Sequence, residues 1–198
     1  MAKKNIKVWN DFCPQALYLY GTKKEDGSAN FGLFCWFTFN WRKTEDPAGG
    51  LGVMCCIGDE KLTKDLIRKN GVFSANLVSE ALLPLADYYG NIDGRTEKDK
   101  MKYVPTIEPG QTLDVPTIAE SPVTLELRVD QAIEMTDGST VFFCEIAGVT
   151  LDEALLEKDK PFIERYLHAA PVLCGGEDRY VSADGRDLGA WGEPMKKL

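Results

Sequence analysis

The chain reads as a mainly β protein, a closed or partly split barrel with two or three peripheral helices. Three observations point there. Phe31, Phe34, Trp36, Phe37, Phe39 and Trp41 crowd one short stretch, and aromatic side chains favour a pleated surface. Two long runs, Val123 to Met135 and Thr140 to Leu151, flank Asp137-Gly138, a pair suited to a tight hairpin. Strands do not alternate regularly with helices, which disfavours a parallel Rossmann-type sheet and leaves an antiparallel barrel.

The elements follow in order. Ala16 to Tyr20 is an apolar strand, and Lys24-Glu25-Asp26-Gly27 is a turn in which Gly27 can take a positive φ. Asn30 to Trp41 is expected to be extended throughout. Lys43 to Gly50, with Pro47 and paired glycines, is a loop, and Gly52 to Ile57 is a buried strand. Lys61 to Asn70 fits a short helix: Thr63 can cap it, Asp65 and Lys69 complement its dipole, and Gly71 can stop it. Leu62, Leu66 and Ile67 give it one apolar side. Val72 to Leu77 is a strand. A helix from about Ser79 to Tyr89 has Pro84 near its start or at a kink, and Gly90 to end it.

Residues 91–121, with three prolines, form an irregular excursion that should pack on the domain, because Ile107, Leu113, Val115 and Ile118 need burial. In the first long strand Glu126 and Arg128 alternate with Leu125, Leu127 and Val129, which predicts a wet face and a dry face. Pro161 to His168 can be helical. The turn-rich tail, Gly175 to Leu198, is expected to wrap a partner or to be loose. At 198 residues and 44% hydrophobic, the whole of 1–198 is expected to be one packed domain without disorder.

Charge and composition exclude several functions. A net charge of −8 disfavours nucleic acid, which needs a clustered basic surface, and anionic membranes. The start, Met1-Ala2-Lys3-Lys4-Asn5, is charged with no apolar run behind it, and no stretch reaches the roughly 20 apolar residues of a membrane span. A soluble cytoplasmic protein is expected. Six cysteines form no C-x-x-C pair and there is one histidine, His168, so ligand spacing for zinc or an iron–sulfur cluster is poor. The cysteines read as reduced core residues, with the adjacent Cys55 and Cys56 on opposite faces of a strand. Dinucleotide-fold, Walker and nucleophile-elbow motifs are missing, and His168 is given no role.

What the residues do offer is a place for a phosphate-tailed aromatic ligand. Thr63 supplies a hydroxyl near a helix N-terminus, Lys64 stands beside it, and Lys100 belongs to the cluster Lys98-Asp99-Lys100-Met101-Lys102. The stretch from Asn30 to Thr38 adds an amide, aromatic surfaces and a hydroxyl. Each of these also has a plain structural use, as a cap or as core.

Several short motifs stand in a definite order. Asp26-Gly27, Asn30 and Cys35-Trp36 fit D-G-x-x-N-x-x-x-x-[SA]-W except at Cys35. Thr63 and Ile67 fit T-x-x-x-I, and Phe73 and Asn76 fit F-x-x-N. Leu85-Ala86-Asp87-Tyr88-Tyr89-Gly90, Gly94-Arg95, Asp99-Lys100-Met101 and Ala119-Glu120-Ser121-Pro122 complete the series. Together, from about Pro14 to Tyr180, they resemble the flavin reductase-like family, close to its flavoredoxin branch. The resemblance implies a Greek-key split barrel that forms a homodimer and holds FMN noncovalently at the subunit interface. It implies that Asn30, Cys35 and Trp36 line the flavin ring or ribityl chain, with Thr38 close enough to join them. By the same match Thr63 touches the phosphate, Asn76 approaches the ring, Lys100 offsets phosphate charge, and Tyr88 and Gly90 shape the wall.

Departures from the family pattern shift some of that weight. Cys35 stands where Ser or Ala is common, Met101 replaces a frequent Phe, and Leu127 stands where a cysteine is frequent. Asp59-Glu60-Lys61 is more acidic than the usual approach to the threonine, which moves weight to Lys64 and Lys100. The implied function is an FMN-dependent oxidoreductase that moves electrons from NADH, NADPH or a redox protein to an acceptor. No side chain need act as a general base, since the reactive chemistry belongs to the cofactor. The alternatives are a non-enzymatic FMN-binding or electron-carrier protein, and a split barrel that has lost its flavin.

Overall fold

The structure, a computed structural model, describes residues 2–5, 7, 11–43, 45, 50–97 and 99–198. Pro47 and the rest of 46–49 in the expected loop, and Lys98 of the basic cluster, lie outside the described residues.

The strands are β1 (Gln15–Ala16), β2 (Tyr18–Lys23), β3 (Ala29–Phe34), β4 (Phe37–Arg42), β5 (Gly50–Ile57), β6 (Val72–Leu77), β7 (Ile107–Pro109), β8 (Pro116–Ile118), β9 (Val123–Glu134), β10 (Thr140–Leu151), β11 (Val172–Gly176), β12 (Arg179–Ser182) and β13 (Asp187–Ala190). The helices are α1 (Leu62–Asn70), α2 (Leu83–Asn91) and α3 (Phe162–Ala169). Seven strands form one antiparallel sheet in the order β3-β2-β6-β9-β10-β5-β4. The connection from β5 through α1 to β6 passes over β10 and β9, a Greek-key crossing.

The sheet closes on itself at an unusual place. Its two edges, β3 and β4, are neighbours in the chain, separated by Cys35 and Trp36 alone. The single extended stretch expected from Asn30 to Trp41 is therefore two strands with a break, and the break is the split in the barrel. Aromatic rings span it where ladder hydrogen bonds do not. Tyr18 of β2 lies 4.2 Å, centroid to centroid, from Phe37 of β4, and Tyr20 lies 6.2 Å from the same ring. Val53, Cys55, Phe73, Leu125, Leu127 and Phe142 fill the rest of the barrel interior.

The opposite face of β2 and β3 builds a second core. Leu17, Leu19, Phe31 and Leu33 pack against Leu83, Ala86 and Tyr89 of α2 and against Val172 and Tyr180. The period-two alternation of a strand sends Tyr18 and Tyr20 inward and Leu17 and Leu19 outward. The last three strands join β1 in a four-stranded sheet, β1-β11-β12-β13, that covers this layer.

Several expectations shift in ways that matter for the site. α1 begins one residue later than expected, with Lys61 at its N-cap and no side chain capping it; Thr63 lies inside the first turn. Gly71 ends it as expected, at φ 70°, donating to the Ile67 carbonyl. α2 runs through Gly90 to Asn91 instead of stopping there. Glu126, expected on a wet face, is buried. Its carboxylate accepts the backbone N–H groups of Gln111, Thr112 and Leu113, which fixes the excursion loop onto the barrel. The tail is not loose; it folds back on its own chain through β12, β13 and a short 3₁₀ turn at Pro194–Lys197. Among the described residues no helix is long and apolar enough to cross a membrane.

Candidate functional site

The break between β3 and β4 opens into a chamber of about 460 Å³. Leu33, Cys35 and Trp36 form one wall, and Cys174, Tyr180 and Trp191 from the tail face them. Trp36 keeps 54% of its surface exposed, and the Tyr180 and Trp191 rings stack at 6.0 Å. The Trp191 ring reaches inward because residue 90 is glycine; a β-carbon there would meet the ring at 2.6 Å. The chamber continues past Leu33, Phe34 and Lys61 into a polar notch bounded by Thr63, Gly94 and Lys100.

The notch is built to face negative charge. Asn30 is buried and donates its amide to the Thr63 hydroxyl at 3.0 Å and to Thr22 at 3.2 Å. The Thr63 hydroxyl thus accepts inside the protein, and among the described residues its own proton has no acceptor. Gly32 makes room for it, since a β-carbon there would lie 2.7 Å from that oxygen. The first turn of α1 adds backbone N–H groups that no side chain caps. Lys100 is 7% exposed, and among the described residues its ammonium has no hydrogen-bond or ion-pair partner. Burial, followed by the repulsion of Lys61, pushes its pKa down to about 8. The side chain is buried but its ammonium opens on the notch, where an anion would complete it.

A different cavity, about 400 Å³, lies near the β7–β8 hairpin and the end of β10. Glu108, Glu120 and Asp152 line it and no cation does, so its charge opposes an anionic ligand.

Comparison with known proteins bears on the chamber and its notch. The model of the flavin reductase like domain matches residues 11–172, well over half of the chain. The chain belongs to the flavin reductase-like family. Among solved structures, flavoredoxin of Desulfovibrio vulgaris (Miyazaki F) aligns over 97% of this chain and 98% of its own, with 26% identity and a TM-score of 0.76. Flavoredoxin from Methanosarcina acetivorans aligns over 99% and 100%, at 23% identity and a TM-score of 0.74, a likeness of fold. An FMN-binding protein from Thermus thermophilus aligns over 92% and 93%, at 21% and 0.69, again in fold. An uncharacterized protein of Aeropyrum pernix is 32% identical over 99 residues, 49% of this chain; that stretch spans 37% of the relative's length.

Within this flavin reductase-like fold the expected site residues divide. Cys35 and Trp36 line the chamber; Thr63 and Lys100 line the notch, and Asn30 braces Thr63. Lys64, Thr38 and Asn76 lie elsewhere. The Lys64 ammonium is held by Asp59 at 2.5 Å and the Gly138 carbonyl at 3.1 Å, on the side of the β9–β10 turn. That bond to Lys64 keeps Asp59 ionised below the usual carboxylate range. Thr38 is exposed on β4, outside the chamber wall. Asn76 is buried and spent: its amide donates to the Leu19 carbonyl and the Ser74 hydroxyl, and its oxygen accepts from Ile118 and Thr124.

Sequence reasoning passed over Lys61, Cys174, Tyr180 and Trp191. Lys61 looked like one more charge in an acidic stretch. The other three come from a tail with no periodic pattern, where a lone tryptophan among turn residues was the available signal.

The Asp87-Tyr88-Tyr89-Gly90 motif holds the site together from beneath. The buried Asp87 carboxylate accepts from the Tyr180 hydroxyl at 2.8 Å, the backbone N–H groups of Gly192 and Met195 at 2.9 and 3.0 Å, and the Asn91 amide at 3.0 Å. It therefore latches the tail to α2. The Tyr88 and Tyr89 hydroxyls donate to the carbonyls of Asp99 and Tyr103, on either side of Lys100. Arg95 ties the same loop to α1 through Asp65 at 2.6 Å and the Asp59 carbonyl at 3.0 Å.

The remaining chemistry in the chamber is sulfur. The neighbouring Cys35 thiol brings the Cys174 pKa down to about 6. The same neighbour, with burial, pushes Cys35 up.

Proposed function

We propose that the protein is an FMN-dependent oxidoreductase of the flavin reductase or flavoredoxin type. It takes electrons from a reduced nicotinamide, NADH or NADPH, or from a redox protein, and passes them through FMN to an acceptor. The observation that carries this reading is the chamber beside the notch: an apolar space walled by Trp36, Tyr180 and Trp191 that shares Leu33, Phe34 and Lys61 with the small notch lined by Lys100. Its volume is of the size that takes cofactors, and the chain's own side chains do not plug it.

The residues fit the two ends of FMN. Lys100, Lys61, the Thr63 hydroxyl and the open first turn of α1 would hold the phosphate. Asn30 acts through Thr63 by fixing its orientation. Trp36 and the backbone at Cys35 would line the isoalloxazine ring, with the tail aromatics opposite. When bound, FMN supplies hydride and electron transfer, and the protein need only bind, orient and shield it. His168, the single histidine, is exposed and lines neither the chamber nor the notch.

A homodimer in the cytoplasm completes the proposal. Phe39 and Trp41 on β4, Leu51 on β5 and Val149 on β10 are all more than half exposed, as are Phe162 and Ile163 on α3. Apolar surface of that extent marks an interaction face.

The test is FMN titration of protein stripped of ligand, followed by absorbance and fluorescence quenching. Stoichiometric uptake is expected. Lys100→Ala should weaken binding about 10- to 100-fold and Thr63→Ala about fivefold, the usual worth of charged and neutral hydrogen bonds. Lys64→Ala should leave it unchanged. Unchanged affinity in both Lys100→Ala and Thr63→Ala would refute the phosphate assignment. Oxidation of NADH and NADPH with free FMN, against electron transfer alone, separates a reductase from a carrier.

A further inference from the structure

The tail places Cys174 of β11 beside Cys35 in the chamber wall, although the two are far apart in the chain. Cys174 also lies beyond the residues that match the family model. We propose that Cys35 and Cys174 form a two-electron dithiol–disulfide couple in the wall of the flavin chamber, oxidised by small-molecule disulfides and able to exchange its electron pair with bound FMN.

Three observations carry the proposal. Both thiols are partly exposed and line the same open chamber, so a small disulfide can reach them. Each thiol is the leading influence on the other's titration, so the two sulfurs stand side by side in that wall. They are also unequal. Cys174 has its pKa lowered by its neighbour Cys35, to about 6, which favours the thiolate, the form that attacks. The pair Cys55 and Cys144 provides the contrast. Those thiols are neighbours too, but they sit in the closed barrel interior, and Cys144 is pushed far up by its neighbour Cys55 and by burial. No metal site competes for the chamber thiols: among the described residues no group of three metal-binding side chains exists.

The chemistry balances as follows. The Cys174 thiolate attacks one sulfur of a disulfide RSSR; a Cys174–SR bond forms, and the leaving thiolate takes the proton Cys174 has released. Cys35 gives up its proton and attacks the Cys174 sulfur; the Cys35–Cys174 bond forms, and the second thiolate leaves with that proton. Two protein thiols are oxidised and RSSR is reduced to two RSH. In the opposite direction the protein disulfide takes up two electrons and two protons and opens. Fully reduced FMN is the donor and is left oxidised. This second half rests on the FMN reading; the first half does not.

The experiment equilibrates the full-length protein anaerobically in reduced and oxidised glutathione mixtures, traps free thiols by alkylation and maps the peptides. Cys35 and Cys174 are expected to lose alkylation together, in one two-electron transition, and to yield a linked peptide two mass units lighter. Cys55 and Cys144 should give no linked peptide with each other. In Cys174→Ser, Cys35 should form no internal disulfide. Wild-type protein in which both thiols stay free in every mixture, or in which the linked peptide joins other cysteines, would overturn the couple. With FMN bound, reductive titration of glutathione-oxidised protein should consume two electron equivalents per flavin more than the Cys35→Ser/Cys174→Ser double variant treated alike. Equal consumption in the two would overturn the exchange with flavin. Failure to bind FMN at all would remove the cofactor reading while the alkylation map still decided the couple.

Discussion

Lys100 is the residue on which the electrostatics turn. Its depressed pKa, about 8, arises first from burial and then from Lys61, with Lys24 adding to the repulsion and Asp93 opposing it. Two consequences of opposite sign follow. A phosphate dianion needs Lys100 protonated, so FMN affinity should be highest between about pH 6, where phosphate gains its second charge, and about pH 8. It should fall above that as Lys100 loses its proton. Lys100→Arg should abolish the alkaline decline, because a guanidinium keeps its charge. In the ligand-free chain, the folded state binds fewer protons than the unfolded one between about 8 and the ordinary lysine value of 10.5. The Lys100 contribution to stability should therefore rise with pH across that window. Dissociation constants from pH 5 to 10, and urea unfolding of the apoprotein against Lys100→Met, check the two signs. A flat binding profile up to pH 10 would remove Lys100 from the phosphate site.

At the scale of elements, the strands were largely legible and the polar anchors were not. β6 and the β9–β10 hairpin follow from alternation and from Asp137-Gly138, and Gly71 marks the end of α1. The break at Cys35-Trp36 could not be read locally, because both residues suit a strand; closure of the barrel forces it. Glu126 reads as a solvent-facing residue until its three backbone donors are seen, and those come from a loop that no periodicity describes. The candidate site follows the same rule. Asn30 and Thr63 sit on elements with local signals, and Cys35, Trp36 and Lys100 belong to short motifs, whereas Tyr180 and Trp191 arrive through Asp87, a contact made between residues 93 apart in the chain. That latch predicts a local failure. Asp87→Ala leaves a buried hydroxyl and two part-buried backbone N–H groups without an acceptor, so it should cost about 2–4 kcal/mol and release the tail. Hydrogen exchange over residues 179–198 should rise sharply while β9 and β10 stay protected. FMN affinity should fall with it, as two walls of the chamber leave. Uniform loss of protection through the barrel would mean that the tail and barrel unfold as one unit.

At the scale of the molecule, the apolar surface has an uneven distribution that calls for a partner. β4 ends the sheet, and Trp41, opposite Leu51 in the register, presents its ring outward together with Phe39. α3 turns Phe162, Ile163 and Leu167 to solvent and buries little beyond Ala169. An isolated chain gains nothing from exposing such rings, whereas a second copy meeting this face buries them at roughly 25 cal/mol per Å². Because β4 begins directly after Trp36, the same assembly would stand at the mouth of the chamber, so association and ligand binding should be coupled. Trp41→Glu places a charge in the centre of that face without touching the chamber wall. Sedimentation velocity should show the wild type as a dimer and Trp41→Glu as a monomer at micromolar concentration. FMN should shift any residual equilibrium of the variant towards the dimer, by the reciprocity that links two binding events. A wild-type chain that sediments as a monomer with FMN fully bound would show instead that one chain suffices, with the tail alone closing the site.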